Sequence, residues 1–79
     1  MSTPIEMTEQ QIASFALLNG GIELHRSWRD HMLAQRRGVP DERMRWDTLA
    51  QRDKDLDCDI AYDVIRDFIV WYNAHVAEE

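Results

Sequence analysis

Two tryptophans of this chain lie close in sequence to arginines, and this combination of residue types suits a ligand that joins a ring to a phosphate. An aromatic face can stack a nucleobase, and a guanidinium group can hold a phosphate through two parallel hydrogen bonds. The alternative is ordinary packing, in which arginine stems cover the indole rings. Both interpretations are open for Trp28 and for Trp46. The neighbouring arginines are Arg26 and Arg29 for the first ring, and Arg43 and Arg45 for the second.

The acidic run over residues 53–59 alternates aspartates in the manner of a calcium-binding loop. An EF-hand loop requires a glycine at its sixth position and a glutamate at its twelfth. Counted from Asp53, those positions hold Cys58 and Val64. On a helix the aspartates of this run fan out around the axis, so the pattern predicts a solvated acidic face.

The three histidines show no metal-binding pattern. His25 and His31 are six residues apart, on opposite sides of a helix, whereas ligands on one helix need a spacing of three or four. His25 shares a helix face with Trp28, a position typical of a packed, hydrogen-bonded histidine. The sequence has no Ser–His–Asp set, no phosphate-binding glycine loop and no paired catalytic glutamates. We therefore expect no catalytic residue, no metal, no cofactor and no enzymatic activity.

Charge is distributed unevenly along the chain, whose formal net charge is −6. Residues 24–46 contain six arginines and three acids, whereas residues 47–79 contain nine acids and three basic residues. The basic middle either pairs with the acidic C-terminal part or forms a site for an anion. The overall acidity disfavours duplex nucleic acid as a partner, because unspecific affinity for DNA comes from neutralising phosphates.

The length of the chain predicts one domain over residues 1–79, with an ordered core over about residues 8–76. Cys58 is the single cysteine, so no internal disulfide can form, and its acidic neighbours disfavour a reactive thiolate. No apolar run reaches the roughly 18–20 residues of a membrane span, and the N-terminus lacks the basic and apolar regions of a signal peptide. These features predict a cytoplasmic protein with no membrane partner.

The N-terminal part of the chain has clear signals for the start and the end of a helix. Thr8 and Gln11 form a capping box, which predicts a first helix over residues 9–18. The Asn-Gly-Gly segment at residues 19–21 should end this helix, because glycine readily adopts the left-handed conformation of a helix C-terminus.

The rest of the chain predicts further helices. A second helix is expected over residues 22–37, ended by Gly38, and a loop with one turn should fill residues 39–46. The last helix should begin near Ala50 and end near Val76. The predicted fold class is all-α, a small domain of three to four helices with a long C-terminal amphipathic helix.

Apolar residues recur every four positions along the last helix and predict its buried face. Asp55 or a neighbouring aspartate is expected to cap a break between a short first turn and the main run. The apolar stripe is wider than a small three-helix core can cover, which predicts a homodimer with Trp71 or Tyr72 at the contact. The residues of the stripe are Leu56, Ile60, Val64, Phe68 and Tyr72, and Ile65, Ile69 and Trp71 widen it.

Two segments of the chain together resemble the ryanodine-receptor repeat domain. The first is LHRSW at residues 24–28, in which a histidine precedes a tryptophan by three residues. The second is WDTLAQRDKDLD at residues 46–57, which is similar to the family's aromatic-x-x-Leu loop and its lysine with an acid three positions on. The resemblance covers roughly residues 13–70. The chain departs from the family pattern at RRGVPDERMR, which replaces a His-Pro-x-Leu-x-Pro stretch, and at Arg26, where an acid is common.

The resemblance implies a small, non-enzymatic helical module of the stand-alone type found in bacteria and phages. Such domains have been linked to nucleotides or nucleotide-derived signals, which predicts a phosphate-bearing small molecule as the partner. By this analogy Trp28 lines a ligand cleft and Arg29 or Arg45 reaches the phosphate, with His25 and Trp46 as further ligand-binding residues. The alternative function is an acidic helical interaction or assembly module that docks a basic protein.

Overall fold

A computed structural model describes residues 3–77, which form two long helical segments joined by an irregular connection. The described part of the chain contains no β-strand, so the all-α class is confirmed. In chain order the elements are α1 (Glu9–Phe15), a π-helical turn (Ala16–Gly20), α2 (Gly21–Ala34), two 3₁₀ turns (Asp41–Arg43 and Trp46–Thr48) and α3 (Gln51–His75).

The start of α1 confirms the predicted capping box. The Gln11 backbone N–H donates to the Thr8 hydroxyl at 3.1 Å, and the Thr8 backbone N–H donates to the Gln11 side-chain oxygen at 2.9 Å. Two of the four backbone donors that a helix N-terminus leaves unsatisfied gain partners in this way. The sequence therefore fixes this helix start locally, without help from the rest of the fold.

The predicted helix end at residues 19–21 is wrong. Gly20 and Gly21 both have right-handed helical dihedral angles, and the chain passes from α1 to α2 through the π-helical turn without leaving the helix. Instead, the absence of side chains at Gly20 and Gly21 allows this helical segment to approach α3 closely. A Cβ atom on Gly21 would lie 2.6 Å from the sulfur of Cys58, and one on Gly20 would lie 3.0 Å from the Cβ of Ala61. The expected three to four separate helices are thus two long helical segments.

The C-terminus of α2 lies three residues before the predicted one. Arg36, and not Gly38, takes the left-handed conformation, with φ = 58°. The Arg37 N–H donates to the Met32 carbonyl at 2.9 Å and the Arg36 N–H donates to the Leu33 carbonyl at 3.0 Å. These two bonds form a Schellman motif, which satisfies carbonyls that the helix end leaves free.

Helix α3 has close to its predicted bounds. It begins one residue after Ala50 and ends one residue before Val76. The expected break at Asp55 does not occur, and the helix is continuous over 25 residues. No helix within residues 3–77 is both long and apolar enough to cross a bilayer.

Side-chain contacts show that the two helical segments run antiparallel. Near one end, the Ile5 backbone N–H donates to the Asn73 side-chain oxygen at 2.8 Å, and the Asn73 amide donates to the Ile5 carbonyl at 3.0 Å. Near the other end, His25 of α2 lies 3.7 Å from Asp57 of α3. The molecule measures 46 × 27 × 13 Å, so its helices form a single layer.

The predicted core face of α3 is wrong for most of its residues in the single chain. Leu56, Val64 and Phe68 are 56%, 61% and 52% exposed. The side of α3 that is buried carries Ala61 and Ile69, and of these Ile69 belongs to the residues that were predicted to widen the stripe. A layer one helix thick covers only the side of α3 that contacts its neighbour, and this side needs small residues at the helix crossing. The buried apolar residues are Ile12, Ala16, Leu49, Ala61, Ile69 and Ala77.

Candidate functional site

A cavity of about 280 Å³ lies where α2, the connection and the first half of α3 meet. Its walls combine apolar side chains with one basic, two acidic and two aromatic-ring side chains. Ligand pockets commonly have this composition, an apolar lining with a few polar groups that fix orientation. The lining residues are Leu24, His25, Trp28, Arg43, Leu49, Asp53, Leu56, Asp57 and Ile60.

Trp28 is the largest aromatic side chain of the cavity. The guanidinium carbon of Arg43 lies 4.7 Å from the centroid of the Trp28 ring, within the range of a cation–π contact. The ring of His25 stacks with Trp28 at a centroid distance of 5.7 Å and an interplanar angle of 24°. Trp28 is only half-buried, so a packing role does not use its whole surface.

His25 is buried, with 4% of its surface exposed. Its Nδ1 lies 3.7 Å from the Asp57 carboxylate, an ion-pair distance that is too long for a hydrogen bond. Its Nε2 is buried and has no hydrogen-bond partner among the described residues. Buried polar atoms in proteins are nearly always paired, so this nitrogen is a candidate contact for a ligand or a water.

Two carboxylates, those of Asp53 and Asp57, give the cavity an acidic wall on α3. Burial raises the pKa of Asp57, as does the nearby Asp53, while the attraction of His25 and of Arg43 opposes this shift. Carboxylates accept hydrogen bonds from the amino groups of a ligand. The cavity therefore has acceptors on α3 and a cationic donor, Arg43, from the connection.

Replacing Asp57 by asparagine should stabilise the protein at neutral pH. Because its pKa is raised in the folded state, the partly buried carboxylate lowers stability once it ionises, and this loss disappears as the pH falls through that pKa. We expect a gain at neutral pH that vanishes as the pH falls below the ordinary pKa of an aspartate. Thermal melts against pH measure it. Asp59→Asn removes the same charge at an exposed position, so an equal gain there would contradict the role of burial.

The predicted site residues are only partly brought together. His25 and Trp28 line the cavity. The centroid of the Trp46 ring lies 6.0 Å from that of the His25 ring, and the Lys54 ammonium lies 5.8 Å from the centroid of the Trp46 ring. Arg29 lies away from the lining, where it donates to the Met44 carbonyl at 3.2 Å.

Arg45 is also not among the lining residues, and it lies 3.9 Å from exposed Asp47. The arginine at the cavity is Arg43, a sequence neighbour of Trp46 that was not among the predicted site residues. Asp53 and Asp57 were assigned to a solvated face, although their spacing of four places them on one side of α3. That spacing was the available signal, whereas the position of Arg43 depends on the path of the connection.

Within residues 3–77 no three histidine, cysteine or acidic side chains converge in a way that could hold a metal ion. Comparison of the chain with protein-family models, with curated proteins and with solved structures finds no match. The site is therefore interpreted from its own geometry.

Proposed function

We propose that the protein is a non-enzymatic binding module whose cavity takes a nucleotide or a nucleotide-derived signal. The observation that supports this most directly is the position of the Arg43 guanidinium 4.7 Å from the half-buried Trp28 ring, at the wall of one cavity. The guanidinium lies over the indole ring, so the two groups form one stacked platform against which a base can pack, and the guanidinium fork can also donate to a phosphate.

The charges around the cavity favour a ligand with one phosphate. Arg43 is the one basic residue of the lining, and it faces two carboxylates, Asp53 and Asp57. A polyphosphate would bring several negative charges close to these carboxylates and to a chain of net charge −6. A nucleoside monophosphate or a cyclic nucleotide suits this balance, because the carboxylates can accept hydrogen bonds from the amino groups of the base.

The size of the cavity and the resemblance to the ryanodine-receptor repeat point the same way. A volume of about 280 Å³ lies just below the usual range for ligand pockets, roughly 300–1,000 Å³, which favours a small ligand. The histidine and tryptophan that carry the family resemblance, His25 and Trp28, both line this cavity. The family's link to nucleotides therefore supports the same ligand class.

A thermal-shift screen against nucleoside monophosphates and cyclic nucleotides tests the proposal, since a ligand of the native state raises its melting temperature. Arg43→Lys keeps the charge but loses the two-point fork, and we expect it to weaken binding roughly tenfold. Arg37→Lys is the matched control, because Arg37 is exposed and lies outside the cavity lining. Titration calorimetry measures both affinities.

Trp28→Phe separates a stacking role from a packing role. If Trp28 stacks a base, this variant should lose affinity and keep most of its melting temperature. A screen without any thermal shift would contradict nucleotide binding. That result would favour the alternative, an interaction module whose exposed acidic side chains on α3 dock a basic protein; these are Asp55, Asp59, Asp63 and Asp67.

A further inference from the structure

One side of the single helical layer carries an uninterrupted set of large exposed apolar side chains. We call it the apolar face, and it consists of Phe15, Leu56, Ile60, Val64 and Phe68, which are between 40% and 61% exposed. Three cavities along this side share lining residues. Leu24 belongs to the first and the second, and Phe15 belongs to the second and the third. The apolar face is therefore one continuous surface along the groove between the two helical segments.

The dimensions of the molecule indicate that the single chain is incomplete as a folded unit. Its accessible surface is 6031 Å², about 1,000 Å² more than a compact monomer of this mass exposes. Its radius of gyration is 15.3 Å, against about 12 Å for a compact domain of this length. A standard protein interface buries about 800 Å² on each partner, which is close to this excess.

We propose that a second copy of this chain covers the apolar face, with a two-fold axis next to Val64. The apolar stripe of α3 runs from Leu56 to Tyr72 with Val64 at its centre. A two-fold axis at this residue places two antiparallel α3 helices against each other, so that Ile60 contacts the partner's Phe68. Val64 then meets its own copy at the axis, whereas Leu56 and Tyr72 lie about 80° to either side of Val64 and border the contact.

The charges of α3 are compatible with this arrangement. Asp55, Asp59, Asp63 and Asp67 each precede a residue of the stripe by one position, which places them about 100° around the helix. Measured from Val64, Asp55, Asp59 and Asp63 lie about 100° or more around the helix and stay outside the interface, and Asp67 lies at its edge. Asp57 is at the wall of the cavity that opens toward the interface. The remaining repulsion between two copies of net charge −6 is screened by salt, so the association should strengthen as salt is added. Binding of a phosphate to Arg43 should weaken under the same conditions.

The second copy would also close the candidate ligand cavity. Leu56 and Ile60 line that cavity and belong to the apolar face, so the cavity opens toward the interface. The same two-fold axis brings the partner's Trp71 close to Asp57 at the cavity wall. This consequence rests on the proposed ligand function, whereas the self-association does not.

Disulfide trapping without any ligand tests the position of the axis. In a Cys58→Ser background, Val64→Cys places two thiols next to each other at the two-fold axis. We expect mild oxidation to link most of this variant as a covalent dimer. Val70→Cys in the same background is the matched control, because Val70 is 64% exposed against 61% for Val64 and lies about 120° away around α3. It should remain largely unlinked, and equal linking of the two variants would overturn the proposal.

Sedimentation of the chain with its native Cys58 gives an independent measurement. The parent should sediment as a dimer at micromolar concentration, and Phe68→Glu should shift it to a monomer. Phe68 is 52% exposed in the single chain, and a helical circular-dichroism spectrum of the Phe68→Glu variant checks that its fold is retained. Val70→Glu should remain a dimer. A monomeric parent, or a dimeric Phe68→Glu variant, would overturn the proposed dimer. Neither result would contradict the proposed binding of a nucleotide.

Discussion

Replacing Gly21 by valine should destabilise the protein by about 3 kcal/mol or more, because there is no space for a side chain at this point of the helix crossing. A Cβ atom on Gly21 would lie 2.6 Å from the sulfur of Cys58, 3.1 Å from a ring carbon of Trp46 and 3.3 Å from the Cys58 backbone nitrogen. Real Cβ atoms do not approach other atoms as closely as the first of these distances, so α2 and α3 would have to separate. Urea unfolding measures the loss.

Gly38→Val is the matched control for this substitution. Nothing lies within 4 Å of a Cβ atom on Gly38, and its φ angle is not positive. We expect the control to change the free energy of unfolding by no more than about 0.5 kcal/mol. Equal stability of the two valine variants would show that α2 and α3 do not approach each other closely at Gly21.

Gly21→Ala combines a stabilising and a destabilising effect, and a second substitution, Cys58→Ala, tests whether the destabilising effect can be rescued. Alanine gains up to about 1 kcal/mol over glycine inside a helix, but the overlap with Cys58 costs about 1–3 kcal/mol. We expect a net loss that Cys58→Ala reduces, because this second substitution removes the nearest atom. A double-mutant cycle isolates this coupling between the two positions. Purely additive effects would show that the sulfur does not limit the approach.

The helix ends that the sequence predicted best are those of helices with local signals. The capping box of Thr8 and Gln11 requires only residues that lie within one helical turn of each other. The apolar repeat of α3 is similarly local, since a period near 3.6 residues specifies a helix whatever covers it. These signals gave the start of α1 and the bounds of α3 to within one residue.

The same local signals failed where a residue type has two uses. Glycine ends helices, and it also permits close helix crossings, and Gly20 and Gly21 serve the second purpose. Nothing within residues 19–21 distinguishes the two uses, because the deciding atoms belong to α3. Conversely, the left-handed position at the end of α2 is occupied by Arg36, a residue type with no preference for it.

The same distinction between local and distant signals explains which residues of the candidate site the sequence predicts. His25 and Trp28 are three residues apart on α2, so their shared location followed from helical spacing alone. Arg43 reaches the Trp28 ring only through the path of the connection, which the sequence does not specify. Periodicity also located the apolar stripe of α3 correctly but not its burial, since a repeat shows which residues share a face and not what covers that face.

Replacing Ile69 by alanine should cost about 2–5 kcal/mol, because Ile69 is one of the few large side chains that this fold buries. It is 9% exposed and contributes to the apolar wall between α1 and α3, with Phe15 and Ile65. The removed atoms would leave a void that a layer one helix thick can fill only by shifting α1. Each kcal/mol corresponds to a fall of about 4–8 °C in the melting temperature of a domain this small.

Val70→Ala is the control on the next residue of the same helix, where 64% exposure predicts a change within about 0.5 kcal/mol.

Val64→Ala is the informative third variant. In dilute solution its cost should be close to that of Val70→Ala, because both valines are exposed in the single chain. If a second copy covers the apolar face, the cost of Val64→Ala must rise with protein concentration, whereas that of Ile69→Ala already has its full size in the single chain. Thermal melts over a hundredfold range of protein concentration therefore distinguish residues buried within the single chain from residues buried only in the dimer. A cost at Val64 as large as that at Ile69 in dilute solution would contradict the exposure of this face.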